Sequence, residues 1–176
     1  ESPQAWADAH TGGRYLATGR FRDGGLSGQG PALFAYRPWT DDQGAPAAPG
    51  THLEETVLLL YQDSRESEDV VARALRGYQH PDEWEGGAFV EGGGRRAILL
   101  SGVKGLGGNR YGAPEGGDCE PYQGYHCDPF ERQVVFYDVD ELSEVAAGRR
   151  DAWTVVPYET WRPPDEETQE AWRQPE

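Results

Sequence analysis

Two glutamates flank a tryptophan at the head of the stretch EWEGGAFVEGGGRRAILLSGVKG, residues 83–105. A carboxyl group held against an indole loses hydration, which disfavours its charged form and raises its pKa toward the range a general acid needs. Glu85, on the strand side of Trp84, is thus a candidate catalytic acid for glycoside cleavage, which requires a partner carboxylate about 5–9.5 Å away. The competing account makes Glu83 and Glu85 solvated turn residues beside a packing tryptophan.

Asp118, Glu120 and Asp128 crowd a second stretch, GDCEPYQGYHCDPF, residues 117–130. Calcium takes about six to eight oxygen ligands, so these carboxylates are the candidate metal set, with neighbouring glycine turns offering carbonyls. They lack the alternating acidic spacing of an EF-hand, and an exposed acidic loop stapled by its cysteines is the alternative. DVDE, residues 138–141, is another oxygen cluster, although Asp140 is also expected to cap a helix. His10, His80 and His126 are dispersed in the sequence and read as surface or hydrogen-bonding residues.

Cys119 and Cys127, the only cysteines, have no second pair or histidine set with which to build a zinc tetrahedron. A local disulfide is expected, and with it an exported protein, since cytosolic thiols are kept reduced. Two free buried thiols in a cytosolic protein are the alternative. The opening ESPQAW has neither an initiator Met nor a hydrophobic signal segment and reads as processed or truncated.

Thirty-one acidic against 16 basic side chains give a net charge of −15. That charge repels phosphate backbones and anionic lipid, so nucleic acid and membrane surfaces are excluded as unassisted partners, while divalent cations and neutral sugars remain. GVKGLGGNRYG, residues 102–112, is glycine-rich but lacks the Gly-Lys-Ser/Thr ending of a phosphate loop. No Gly-x-Ser-x-Gly elbow marks a serine hydrolase.

The elements that must position these residues come from a repeat. AWADAHTGGRYLATGRF (5–21) and EWEGGAFVEGGGRRAILLSGV (83–103) share a tryptophan, a short gap, a Gly-Gly-Arg turn and an apolar run. Downstream, GPALFAYRPW (30–39) matches RQVVFYDVDE (132–141) in its aromatic pair, and ETVLLLY (55–61) matches WTVVPY (153–158). Each copy predicts an inner strand after the tryptophan, a second after the turn, a third with the aromatics and a fourth beginning Thr-Val. The expected class is all-β: two four-stranded antiparallel propeller-type blades with short connecting helices, in a larger propeller of about five blades. A two-sheet sandwich with similar hairpins is the competing architecture. Residues 1–66 form the first blade-like repeat, 67–82 a helical linker, 83–161 the second repeat with its Cys-containing insertion, and 162–176 an acidic, proline-rich tail. Helices are expected over 67–78, capped by Ser67, and over 140–150, capped by Asp140 and stopped at Gly148.

WEGGAFVEGGGRRAILLSGVKGLGGNRYG and QVVFYDVDELSEVAAGRRDAWTVVPY resemble the closing blades of uncharacterised exported bacterial β-propeller-like proteins, a likeness covering most of residues 12–160. It implies fold and extracellular location and carries no activity. EGGAF, residues 85–89, is loosely similar to the stretch that opens an inner strand and supplies an acid in five-bladed glycoside hydrolases. The partner carboxylates of such enzymes would lie in blades outside this chain. Two blades cannot close a ring, so a longer polypeptide or another chain is the expected partner.

The expected function is a non-catalytic extracellular module that binds a polysaccharide or protein, stabilised by calcium. Trp39, Tyr111, Tyr122, Tyr125 and Trp161 are the aromatics offered for sugar stacking. The alternatives are a glycoside-active enzyme using Glu85, and a subunit of a hetero-complex or filament.

Overall fold

The computed structural model describes residues 1–18, 31–41, 43–61, 82–107, 110–112, 124–126 and 129–164. Its framework is antiparallel sheet with two helices among the described residues. Helix α1 (Gln4–His10) leads into β1 (Leu16–Thr18), β2 (Leu33–Tyr36) and β3 (Glu55–Leu59), which form a sheet in that order. β4 (Glu83–Gly92) and β5 (Arg95–Gly105) form a long hairpin, followed by the small pair β6 (Arg110–Gly112) and β7 (Gly124–His126). β8 (Phe130–Asp138) returns beside β5, helix α2 (Val139–Ala146) and a 3-10 turn (Ala152–Thr154) follow, and β9 (Glu159–Trp161) completes the order β4-β5-β8-β9.

Side-chain alternation explains why both sheets share one core. β8 buries Gln133, Val135 and Tyr137 and turns Val134, Phe136 and Asp138 outward, the period-2 pattern of a strand with one covered face. Leu33, Ala35, Leu58 and Leu59 of the first sheet meet Trp84, Ile98, Leu100, Val135 and Tyr137 of the second in a single apolar cluster. Val139, Leu142 and Val145, at helical spacing, close that cluster from α2, which packs against β3.

The repeat is only partly realised. Trp6 sits on α1, where an inner strand was expected, because Ala5, Ala7 and Ala9 favour helix and Gln4 reaches Asp8 one turn on. Among the described residues the first sheet has three strands. The Thr-Val run of the second copy, Thr154-Val155, falls at the 3-10 turn; the strand that pairs with β8 lies further along, at Glu159–Trp161. Phe34 and Tyr36 are two apart and share a face, whereas Phe136 and Tyr137 are adjacent and point to opposite faces. Asp138, not Asp140, caps α2: its side chain accepts from the Asp140 backbone N–H at 2.8 Å. Gly148 follows with φ +68°, the left-handed stop expected of it. The expected helix over 67–78 and the tail beyond Pro164 lie outside the described residues.

Candidate functional site

A cavity of about 270 Å³ lies between the two sheets. Small residues help to make it: Ala32 just before β2, Ala35 within it, and Gly87, which shares the core face of β4 with Phe89, bring little or no side chain into the space. Trp6, Trp84, Phe89, Ile98 and Leu100 supply the walls, and the lining reaches Glu1 and Ser2 at the surface. Trp6 and Trp84 are 4% and 6% exposed, and the indole Nε1–H of each is buried without a hydrogen-bond partner. Leaving such a donor unpaired costs about 1–3 kcal/mol. The two tryptophans aligned by the repeat therefore do converge, one from a helix and one from a strand.

The backbone beneath Trp84 is tightly constrained. Trp84 pairs with Gly102 and Gly86 with Ser101, so Glu85 is the extra residue of a β-bulge. At Gly102 an added Cβ would stand 2.1 Å from the Glu83 carbonyl oxygen and 2.8 Å from the Trp84 ring carbon Cε3. Only glycine fits opposite the bulge.

Two buried polar groups brace the region. Lys104 Nζ lies 2.7 Å from Asp82 Oδ2, and the Gly105 backbone N–H donates to Asp82 Oδ1 at 2.8 Å, anchoring a carboxylate that is wholly buried. Tyr61 Oη donates to the Val155 carbonyl at 2.6 Å and lies 3.2 Å from Tyr137 Oη, linking the segment after β3 to β8 and the approach to β9. Burial raises the Tyr137 pKa well above the usual tyrosine range, with Tyr61 and the Asp82 charge adding to the effect.

The outward face of the four-stranded sheet is also apolar. Register places Leu99 opposite Phe136, and Val134 opposite Trp161, on the side away from the core. Trp161 is 50% exposed and Tyr158, whose ring is 6.4 Å from Phe136, is 43% exposed; the Arg95 guanidinium lies over the Tyr158 ring at 5.9 Å.

Of the candidate residues, Trp39 and Trp161 are exposed on separate elements, the loop after β2 and strand β9. β6 and β7 set Tyr111 directly opposite Tyr125 in register. Glu85 has its backbone at the bulge, and its side chain lies outside the described set, as do Tyr122, Asp118, Glu120, Asp128, Cys119 and Cys127. Among the described residues no three His, Cys, Asp or Glu side chains group to hold a metal. No described helix is long and apolar enough to cross a membrane. The cavity itself was missed in the sequence; its signal was Gly87, a core-facing strand position with no side chain, close to Trp84. No family model, curated protein or solved structure matches the chain.

Proposed function

We propose that the chain acts by binding rather than catalysis, as a blade-type module of a larger exported propeller whose next sheet docks on the outward face of β4-β5-β8-β9. One observation carries this reading: the Leu99–Phe136 and Val134–Trp161 pairs, with Tyr158 beside them, form an apolar strip on a face open to solvent. A solvated antiparallel face ordinarily alternates to polar side chains. An apolar one, rimmed by charges such as Arg132 and Glu159, has the composition of a packing surface. The meander order supports the blade reading, since neighbouring blades meet through such faces.

Sedimentation equilibrium tests it. The chain alone is expected to self-associate reversibly at high micromolar concentration, with its exposed sheet faces substituting for the missing blade. The double variant Leu99→Lys, Phe136→Lys is expected to be monomeric with an unchanged circular dichroism spectrum. A parent chain that stays monomeric throughout, or a double variant that associates as the parent does, overturns the docking role.

A further inference from the structure

The cavity between the sheets lies on the opposite side of β4-β5-β8-β9 from the docking strip, and the two call for different occupants. We propose that it binds a compact, neutral aromatic molecule of about two fused rings that carries one hydrogen-bond acceptor.

Size sets the first limit. Protein cores are packed as densely as organic crystals, and voids larger than a water are few. An apolar cavity of about 150 Å³ stays dry and accepts benzene. At about 270 Å³ the present space suits a bicyclic molecule. Gly87 offers no side chain to fill the space, and an added Cβ there would press on the Leu100 side chain, 2.8 Å from Cδ2.

Chemistry sets the second limit. Apart from Glu1 and Ser2, the side chains of the walls are indole, phenyl and aliphatic groups, and Glu1 alone of the lining residues carries a side-chain charge, where the lining reaches solvent. A charged ligand would lose its hydration to such walls without a partner, and a net charge of −15 further disfavours an anion. The two orphaned donors, Nε1–H of Trp6 and of Trp84, belong to rings that line the cavity but present no accessible surface to it, so they meet a ligand only when the ring turns. A carbonyl or ring-nitrogen acceptor relieves an unpaired donor once the indole turns to meet it, whereas a hydrocarbon relieves neither. Flat rings also gain from edge or offset contacts with Trp6, Trp84 and Phe89; the Trp6 and Phe89 centroids are already 5.9 Å apart.

The test uses 1-indanone and its hydrocarbon counterpart indane as probes, read by tryptophan fluorescence and by saturation-transfer NMR. 1-Indanone is expected to bind saturably and about tenfold more tightly than indane, the factor one recovered hydrogen bond supplies. Ala35→Leu, which fills the cavity from a residue 1% exposed, is expected to abolish binding of both probes. If that variant does not fold, Ala32→Leu takes its place with the same expectation. Trp84→Phe keeps the aromatic wall but removes one donor, and is expected to reduce the preference for 1-indanone while indane binding persists. Absence of saturable binding by either probe to the parent chain overturns the site. Unchanged binding in the filled variant overturns its location. Equal affinity for the two probes overturns the role given to the indole donors.

Discussion

Gly12-Gly13-Arg14 and Gly93-Gly94-Arg95 carry the same residues and the same left-handed pair of backbone angles, φ +62° and +81° in the first and +58° and +77° in the second. Their settings differ. In the second, Gly92 pairs with Arg95 across the bend, so the glycines form the two-residue turn of a hairpin. In the first, the Thr11 and Gly13 backbone N–H groups both donate to the Ala7 carbonyl, the ending that stops a helix with glycine just past its cap. A left-handed glycine pair thus specifies a reversal of the chain and leaves open what it joins. The flanks decide: alanines at 5, 7 and 9 make a helix, while Phe89 and Val90 make a strand.

The strongest way to break this comparison is at the strand copy, where Trp84 and its bulge press on Gly102. Gly102→Val should destabilise the protein by about 3 kcal/mol or more in urea unfolding, because the obstruction is backbone and cannot rotate away. A cost below about 1 kcal/mol would mean that the bulge at Glu85 is not rigid. Next in size is a paired substitution at the two turns. Asparagine tolerates the left-handed region, so backbone preference alone does not separate the sites. At Gly13 a Cβ would meet Arg37 Nη2 at 2.6 Å and Asp8 Oδ1 at 3.3 Å, whereas at Gly93 nothing lies within 4 Å. Gly13→Asn should therefore cost about 1–3 kcal/mol and Gly93→Asn less than about 0.5 kcal/mol. Equal costs would make the two turns equivalent in packing as well as in backbone.

The smallest effect is invisible at neutral pH. Tyr137 holds its proton more tightly in the folded protein than in the unfolded chain. Its contribution is fully present below the ordinary tyrosine pKa of about 10 and drains away as pH rises above that value. Melting temperature followed into alkali should fall, and Tyr137→Phe should fall less steeply than the parent. Identical slopes would remove Tyr137 from the link between the two halves.

Strand positions were legible at β2 and β8, where burial alternates, and at β3 and β5 as short apolar runs. Helix α1 was not, because a tryptophan before Gly-Gly-Arg looked like its counterpart at 84, and the alanine spacing was outweighed by that match. The cap of α2 was displaced by two residues because Asp138 and Asp140 both satisfy the sequence requirement, and only the direction of the side chain separates them. The cavity was illegible for a further reason. It depends on which small residues from two distant strands face one another, and register across sheets is a property of the folded chain.

Lys104 is the single lysine of the chain, next to the last residue of β5, and its side chain is 15% exposed against Asp82. A lysine-specific protease therefore has one peptide bond to cut in all 176 residues, between Lys104 and Gly105, within a strand bonded to β8. Cleavage must wait for the end of β5 to part from β8, so the rate of appearance of two fragments is a clock for the opening of that end of the sheet.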